Sequence, residues 1–177
     1  IVVVANGGVA GTFNVTVISA DDAPVVSVDS WRYVTDGVVT SVTPNSGQYG
    51  TYVALTGERL LGSGSTLVSV TLADTEVSMI LFQNNTLVVV RVAAGSAGTG
   101  HIVLTSDTGA IVTLENGWTY LEQGNVVGVS PPNGQYNTVV TVTGTNLLGG
   151  GNSAVSLHAD AVPMTLLTSN STHITFR

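Results

Sequence analysis

Short runs of alternating apolar and polar residues, broken by Gly, Pro, Asn or Asp, extend along the whole chain. Alternation with a period of two puts every second side chain on one face, the mark of a half-buried strand. No stretch repeats apolar residues at three-and-four spacing over several turns, so no helix is expected. Within 37–123 the pattern predicts strands at 38–42, 52–56, 67–72, 77–82, 86–91, 101–105, 110–114 and 118–121. Turns are expected at 44–50 and 106–109, and a loop at 93–100. Seven or eight short strands at this spacing form a β-sandwich. Composition agrees, since Val, Thr, Ser and Gly dominate a chain that is 44% hydrophobic and 8% charged. The expected fold class is all-β.

The pattern also repeats. "VTPNSGQYGTYVALTG" at 42–57 returns as "VSPPNGQYNTVVTVTG" at 129–144, a displacement of 87. "TGERLLGSG" at 56–64 returns as "TGTNLLGGG" at 143–151, and "SWRYV" at 30–34 anticipates "GWTYL" at 117–121, again by 87. "EVSMILFQNNT" at 76–86 matches "AVPMTLLTSNST" at 161–172 with one residue of slippage. Self-similarity at a fixed period marks an array of similar units.

The opening V-x-P-x-x-G, the V-x-V-T-G-x-N-L stretch and the closing W-x-Y resemble the IPT/TIG family, the immunoglobulin-like domains shared by plexins and certain transcription factors. The resemblance implies tandem immunoglobulin-like (E-set) β-sandwiches with a period of about 87 residues. Residues 37–124 then make one complete domain, 1–36 the C-terminal half of another, and 125–177 the N-terminal half of a third. It also implies a cell-surface or extracellular setting. The Cys pairs usual in receptor members and the basic DNA-contacting loops of Rel-type members are both missing from the sequence.

Charge narrows the partners. The net charge is −7, Lys is absent, and the four Arg (Arg32, Arg59, Arg91 and Arg177) are far apart in sequence. Nucleic-acid binding needs a clustered cationic face, so none is expected. No run of apolar residues is long enough to span a bilayer, and no membrane insertion is expected in this segment. Without Cys there is no disulfide or thiolate metal site, and the redox compartment stays open. The chain begins with Ile, which reads as a removed leader or a segment of something longer.

Candidate chemistry is sparse. His101, His158 and His173 lack zinc-ligand spacing and read as structural. No Ser sits in a nucleophile elbow, and "GSGST" at 62–66 lacks the Lys and the helix of a phosphate loop. Asp21, Asp22, Asp29 and Asp36 gather near the first domain junction and read as a solvated acidic face before a calcium site. The expectation is no catalytic residue, no cofactor and no metal. Asn-x-Ser/Thr acceptors occur at Asn14, Asn84 and Asn170, with the last two at equivalent turns before a strand. The Trp31/Tyr33 and Trp118/Tyr120 pairs read as core packing rather than as a sugar platform.

The phase of the repeat suggests assembly. The terminal strands that carry Val2, Val15, Val17, Val139, Val155, Leu166 and Ile174 are expected to leave apolar faces and bare edges, each needing a complement. Copies joined head-to-tail supply it by completing each other's sandwiches, and so does a continuous array. The expected function is a non-enzymatic subunit or segment of an extracellular filament or stalk, whose partners are copies of itself and covalent glycans. The alternatives are a ligand- or glycan-binding ectodomain segment of a receptor or adhesin, and an accessory domain of a polysaccharide-degrading enzyme.

Overall fold

The computed structural model describes residues 5–177, and every regular element among them is a β-strand. β1 (Gly11–Ile18) and β2 (Pro24–Tyr33) form an antiparallel hairpin. Nine strands follow: β3 (Val38–Thr43), β4 (Ser46–Gly47), β5 (Tyr52–Glu58), β6 (Leu67–Leu72), β7 (Thr75–Glu76), β8 (Met79–Gln83), β9 (Leu87–Arg91), β10 (Gly98–Ser106) and β11 (Ile111–Tyr120). They pair as two sheets, β3-β5-β9-β8 and β4-β11-β10-β6-β7. Beyond them β12 (Asn125–Ser130), β13 (Val140–Thr145), β16 (Leu166–Ser169) and β17 (His173–Phe176) form a four-stranded sheet in the order β12-β13-β17-β16, and β14 (His158–Ala159) and β15 (Val162–Pro163) a small hairpin.

Alternation decides which side chains enter the core. On β5 and β9, Val53, Leu55, Val88 and Val90 point inward and are fully buried. They meet Val70, Leu72, Ile102, Leu104, Val112 and Trp118 of the facing sheet in one cluster. The T-G-x-x-L stretch explains itself here. Arg59 takes a left-handed turn (φ 53°), which brings Leu60 back over Gly57. A Cβ at Gly57 would overlap the Val38 carbonyl oxygen and press on Leu60 at 2.7 Å, so only glycine fits. Gly144, Asn146 and Leu147 repeat this arrangement against Asn125.

The ladders repeat in register. Every pair of β1–β2, from Gly11↔Tyr33 to Ile18↔Pro24, reappears in β10–β11 displaced by 87, bulge included. The pairs of β3–β5 reappear in β12–β13 with the same displacement.

Three local expectations change. The strands expected at 110–114 and 118–121 are one ten-residue strand, because Asn116 and Gly117 form a bulge in β11 opposite His101 and the ladder continues beyond it. The expected turn at 44–50 contains β4, which pairs parallel to the end of β11. Val155 stands in no strand. Its counterpart Val68 belongs to β6, which β10 holds in place, and among the described residues no strand lies beside 154–157 to do the same.

Candidate functional site

The features that stand out are two open faces and the contacts between successive units. The hairpin β1–β2 carries the first face. Val15, Val17, Trp31 and Tyr33 occupy the places that Ile102, Leu104, Trp118 and Tyr120 hold in the central sandwich. Those four are buried there, whereas Val17 is 49% and Trp31 44% exposed. The hairpin is nonetheless built as the inner one is. Trp31 and Tyr33 meet edge-to-face at 5.8 Å and 81°, as Trp118 and Tyr120 do at 5.8 Å and 87°. Phe13 adds a further edge contact to Tyr33 at 75°. Rings set nearly perpendicular to one another offer no shared plane for a sugar to stack on.

The second face lies on the sheet of residues 125–177. Val140, Val142 and Phe176 stand where Val53, Leu55 and Val90 stand in the core, and Met164, whose N–H donates to the Leu157 carbonyl as that of Val77 does to Val70, stands at the place of Val77. A cleft of about 780 Å³ opens over Val140, Met164 and Phe176, lined also by Val129, Pro131 and Tyr136 among others.

The residues singled out in the sequence fall as follows. Val15, Val17 and Ile174 take positions that are buried in the central sandwich, and Ile174 is itself buried. Leu166 pairs with Phe176 as Ile80 pairs with Val90, so it takes the place of a partly buried residue packed on the core. Val139 and Val155 do not belong to that inner face: their counterparts Tyr52 and Val68 are exposed, and β13 begins only after Val139. Val2 lies outside the described residues. The inward residues that were missed, Val140, Val142, Leu157 and Phe176, could have been found by carrying the alternation of β5, β6 and β9 across the repeat.

The polar candidates are tied into local structure. His101 Nδ1 accepts a hydrogen bond from the Asn116 N–H at 3.1 Å across the β10–β11 bulge, and Asn14 Oδ1 accepts from the Asp29 N–H at 2.8 Å at the same place in β1–β2. Asn84 Oδ1 accepts from the N–H groups of Thr86 and Leu87 and from the Thr86 hydroxyl, closing the turn between β8 and β9. Asn170 does the same with Thr172 and His173 before β17. All three Asn are exposed. Asp107 Oδ1 accepts from the Ser65 N–H, so the "GSGST" loop is pinned to the β10–β11 turn. Among the described residues no three His, Asp or Glu gather as metal ligands, and Asp21, Asp22, Asp29 and Asp36 form no such group. Among the described residues no helix is long and apolar enough to cross a membrane.

Burial raises the pKa of the Tyr120 phenol above its ordinary 10.0, and Thr75 offsets part of that, although no hydrogen bond of good geometry reaches Tyr120 Oη. A raised acid holds its proton more tightly in the folded state, so this contribution is intact below pH 10 and is lost as the pH rises through the folded value. Tyr120→Phe should therefore leave stability at pH 7 nearly unchanged and flatten its alkaline decline, as urea unfolding between pH 8 and pH 11 would show.

Two antiparallel layers packed over one alternating core define an immunoglobulin-like β-sandwich. The chain belongs to the IPT/TIG domain family, whose model matches residues 38–120 and again 125–177. Among curated proteins none matches it. Among solved structures it is similar to the full extracellular region of plexin A4, domains 1 to 10, at 19% identity and a TM-score of 0.56 over 97% of this chain and 15% of that one. A second plexin A4 structure, with domains 1 to 8, gives 21% identity and a TM-score of 0.50 over 80% of this chain and 15% of that one. A looser likeness, at 18% identity and a TM-score of 0.38, joins 80% of this chain to 42% of SGBP-B from a complex xyloglucan utilization locus in Bacteroides uniformis. At these identities the likeness is one of fold, and the chain spans 15% of the plexin chains it matches.

Proposed function

We propose that this chain is a non-enzymatic structural subunit or segment of an extracellular filament or stalk built from IPT/TIG-like repeats. The observation that carries this reading is the hairpin β1–β2. It keeps the register, the bulge and the aromatic pair of β10–β11, yet its apolar face is uncovered. A hairpin of that design is the second layer of a sandwich, and residues 125–177 offer a first layer. Residues 1–36 and 125–177 thus act as complementary halves, joined head-to-tail between copies or supplied by neighbours in a continuous array. The complement departs from the central sandwich at one corner. Gly100 lies against Ala73, where a Cβ would meet the Ala73 Cα at 2.6 Å, and the hairpin carries Phe13 at that place. The facing turn differs as well, with positive φ at Ala73 and Asp74 but, in its counterpart, at Asp160 without Ala161.

The non-enzymatic part of the proposal is supported by the use made of the polar side chains. His101, Asn14, Asn84, Asn170 and Asp107 all hold turns or bulges. Asn84 and Asn170 sit on equivalent exposed turns, and they and Asn14 are the proposed carriers of covalent glycans in a secreted protein. Sedimentation velocity and negative-stain microscopy test the assembly. Strings of particles lengthening with concentration are expected if copies complete one another, together with a blue shift of Trp31 emission as its face is covered. Dispersed monomers that bind a soluble oligosaccharide saturably would instead establish the glycan-binding ectodomain reading.

A further inference from the structure

Residues 121–124 join the central sandwich to the next unit, and such a linker is free to bend unless something holds it. Here both sides grip it. The Gly124 N–H donates to Gln48 Oε1 at 3.0 Å, across 76 residues of sequence. Gln48 is itself held in a tight turn: its N–H donates to Thr51 Oγ1 at 3.2 Å, and the Thr51 N–H donates to its carbonyl at 3.1 Å. At the start of the linker the Leu121 N–H donates to the Gly47 carbonyl at 2.8 Å. On the far side Asn146 Nδ2 donates to the Glu122 carbonyl at 3.4 Å.

The loop at 147–151 closes against the same spot. A Cβ at Gly149 would stand 2.5 Å from Gln48 Nε2, and one at Gly150 would overlap Leu121 Cδ1. The central unit supplies a comparison at both positions. Gly62, the counterpart of Gly149, also has a left-handed backbone (φ 53°), so the loop itself calls for glycine there. The counterpart of Gly150 is Ser63, which adopts φ 70° with a side chain present. Loop conformation therefore accounts for Gly149, whereas Gly150 answers to Leu121 of the preceding unit.

We propose that Gln48, Leu121 and the Gly149–Gly150 loop form a docking surface between successive IPT/TIG units that fixes their relative orientation, and that Gln135 presents the same surface to a further unit. Gln135 stands in the turn that holds Gln48: its N–H donates to Thr138 Oγ1 at 3.0 Å, and the Thr138 N–H returns to its carbonyl at 3.0 Å. It is exposed, and the partner it fits is the linker N–H and Leu-Leu-Gly-Gly loop of another such unit. The Gln135 half of this proposal rests on the stalk reading, and the Gln48 half does not.

The chain has no Cys, so a pair of spin labels can be placed cleanly at Val68→Cys and Leu167→Cys, both exposed positions in strands of the two units. Double electron–electron resonance should give one narrow distance in the otherwise unaltered chain. Gln48→Ala should broaden it. Gly150→Ser should broaden or shift it too, and Leu121→Ala added to Gly150→Ser should restore the narrow distance by making room for the new side chain. Trp118 emission verifies that each variant keeps the central sandwich. A broad distribution in the parent chain overturns the proposal, as does Gly150→Ser behaving alike with and without Leu121→Ala. Either result would leave the filament test by Trp31 emission and sedimentation untouched.

Discussion

Replacing Leu55 by alanine is expected to lower the stability of the 38–120 sandwich by about 3 kcal/mol. Leu55 is fully buried at the middle of β5 and packs among Val53, Val88 and Val90, with Leu104 and Trp118 in the same core. The loss combines the transfer of the removed carbons with the cavity they leave, because strands on both sides hold the walls apart. Roughly 5–15 kcal/mol holds a domain folded, so a large share of the margin would go. Guanidinium unfolding followed by Trp118 emission, in a Trp31→Phe background, gives the value directly. Val142 holds the corresponding position on β13 but is only half-buried. Val142→Ala should cost less than about 1 kcal/mol, since little area is lost and the open sheet relaxes around the change. Equal losses at the two positions would mean that the two sheets are closed alike, contrary to the open cleft over residues 125–177.

The same pair of residues shows how much could be read from the chain alone. Alternation and turn residues disclose the sandwich, and the repeated Pro-x-x-Gly-Gln-Tyr and T-G-x-x-L stretches disclose equivalent positions. Which valine points inward is harder to read. In "NTVVTVTG" at 137–144 the adjacent Val139 and Val140 are chemically equal, and choosing the wrong one inverts the face. The first copy resolves the matter: Tyr52 stands at the place of Val139 and is 60% exposed, while Val53 stands at that of Val140 and is fully buried. Asn116–Gly117 misleads for another reason. Both residues favour turns, but here they allow a bulge within a continuous ladder. The joint at Gln48 was hidden because its contact spans 76 residues and is made by a side-chain amide whose sequence surroundings look like any turn.

Val17→Asp is expected to abolish completion of the sandwich while leaving the dispersed chain folded. In β1 the side chain of Val17 is half exposed, so a carboxylate there stays hydrated when the hairpin stands alone. In a completed sandwich it takes the place of Leu104, which is fully buried between the layers. An unpaired charge at such a site costs several kcal/mol, enough to keep the second layer from closing over it. Val139→Asp supplies the contrast. It lies where Tyr52 meets solvent, so it should assemble as the parent chain does. Sedimentation velocity on the parent chain and the two variants at equal concentration separates the cases, with Trp118 emission reporting that the central sandwich is intact in each. Assembly by Val17→Asp as strong as that of the parent, or its loss in Val139→Asp, would show that the inner face of β1 is not what the neighbouring unit covers. Complementary halves would then have to be given up as the means by which the repeats join.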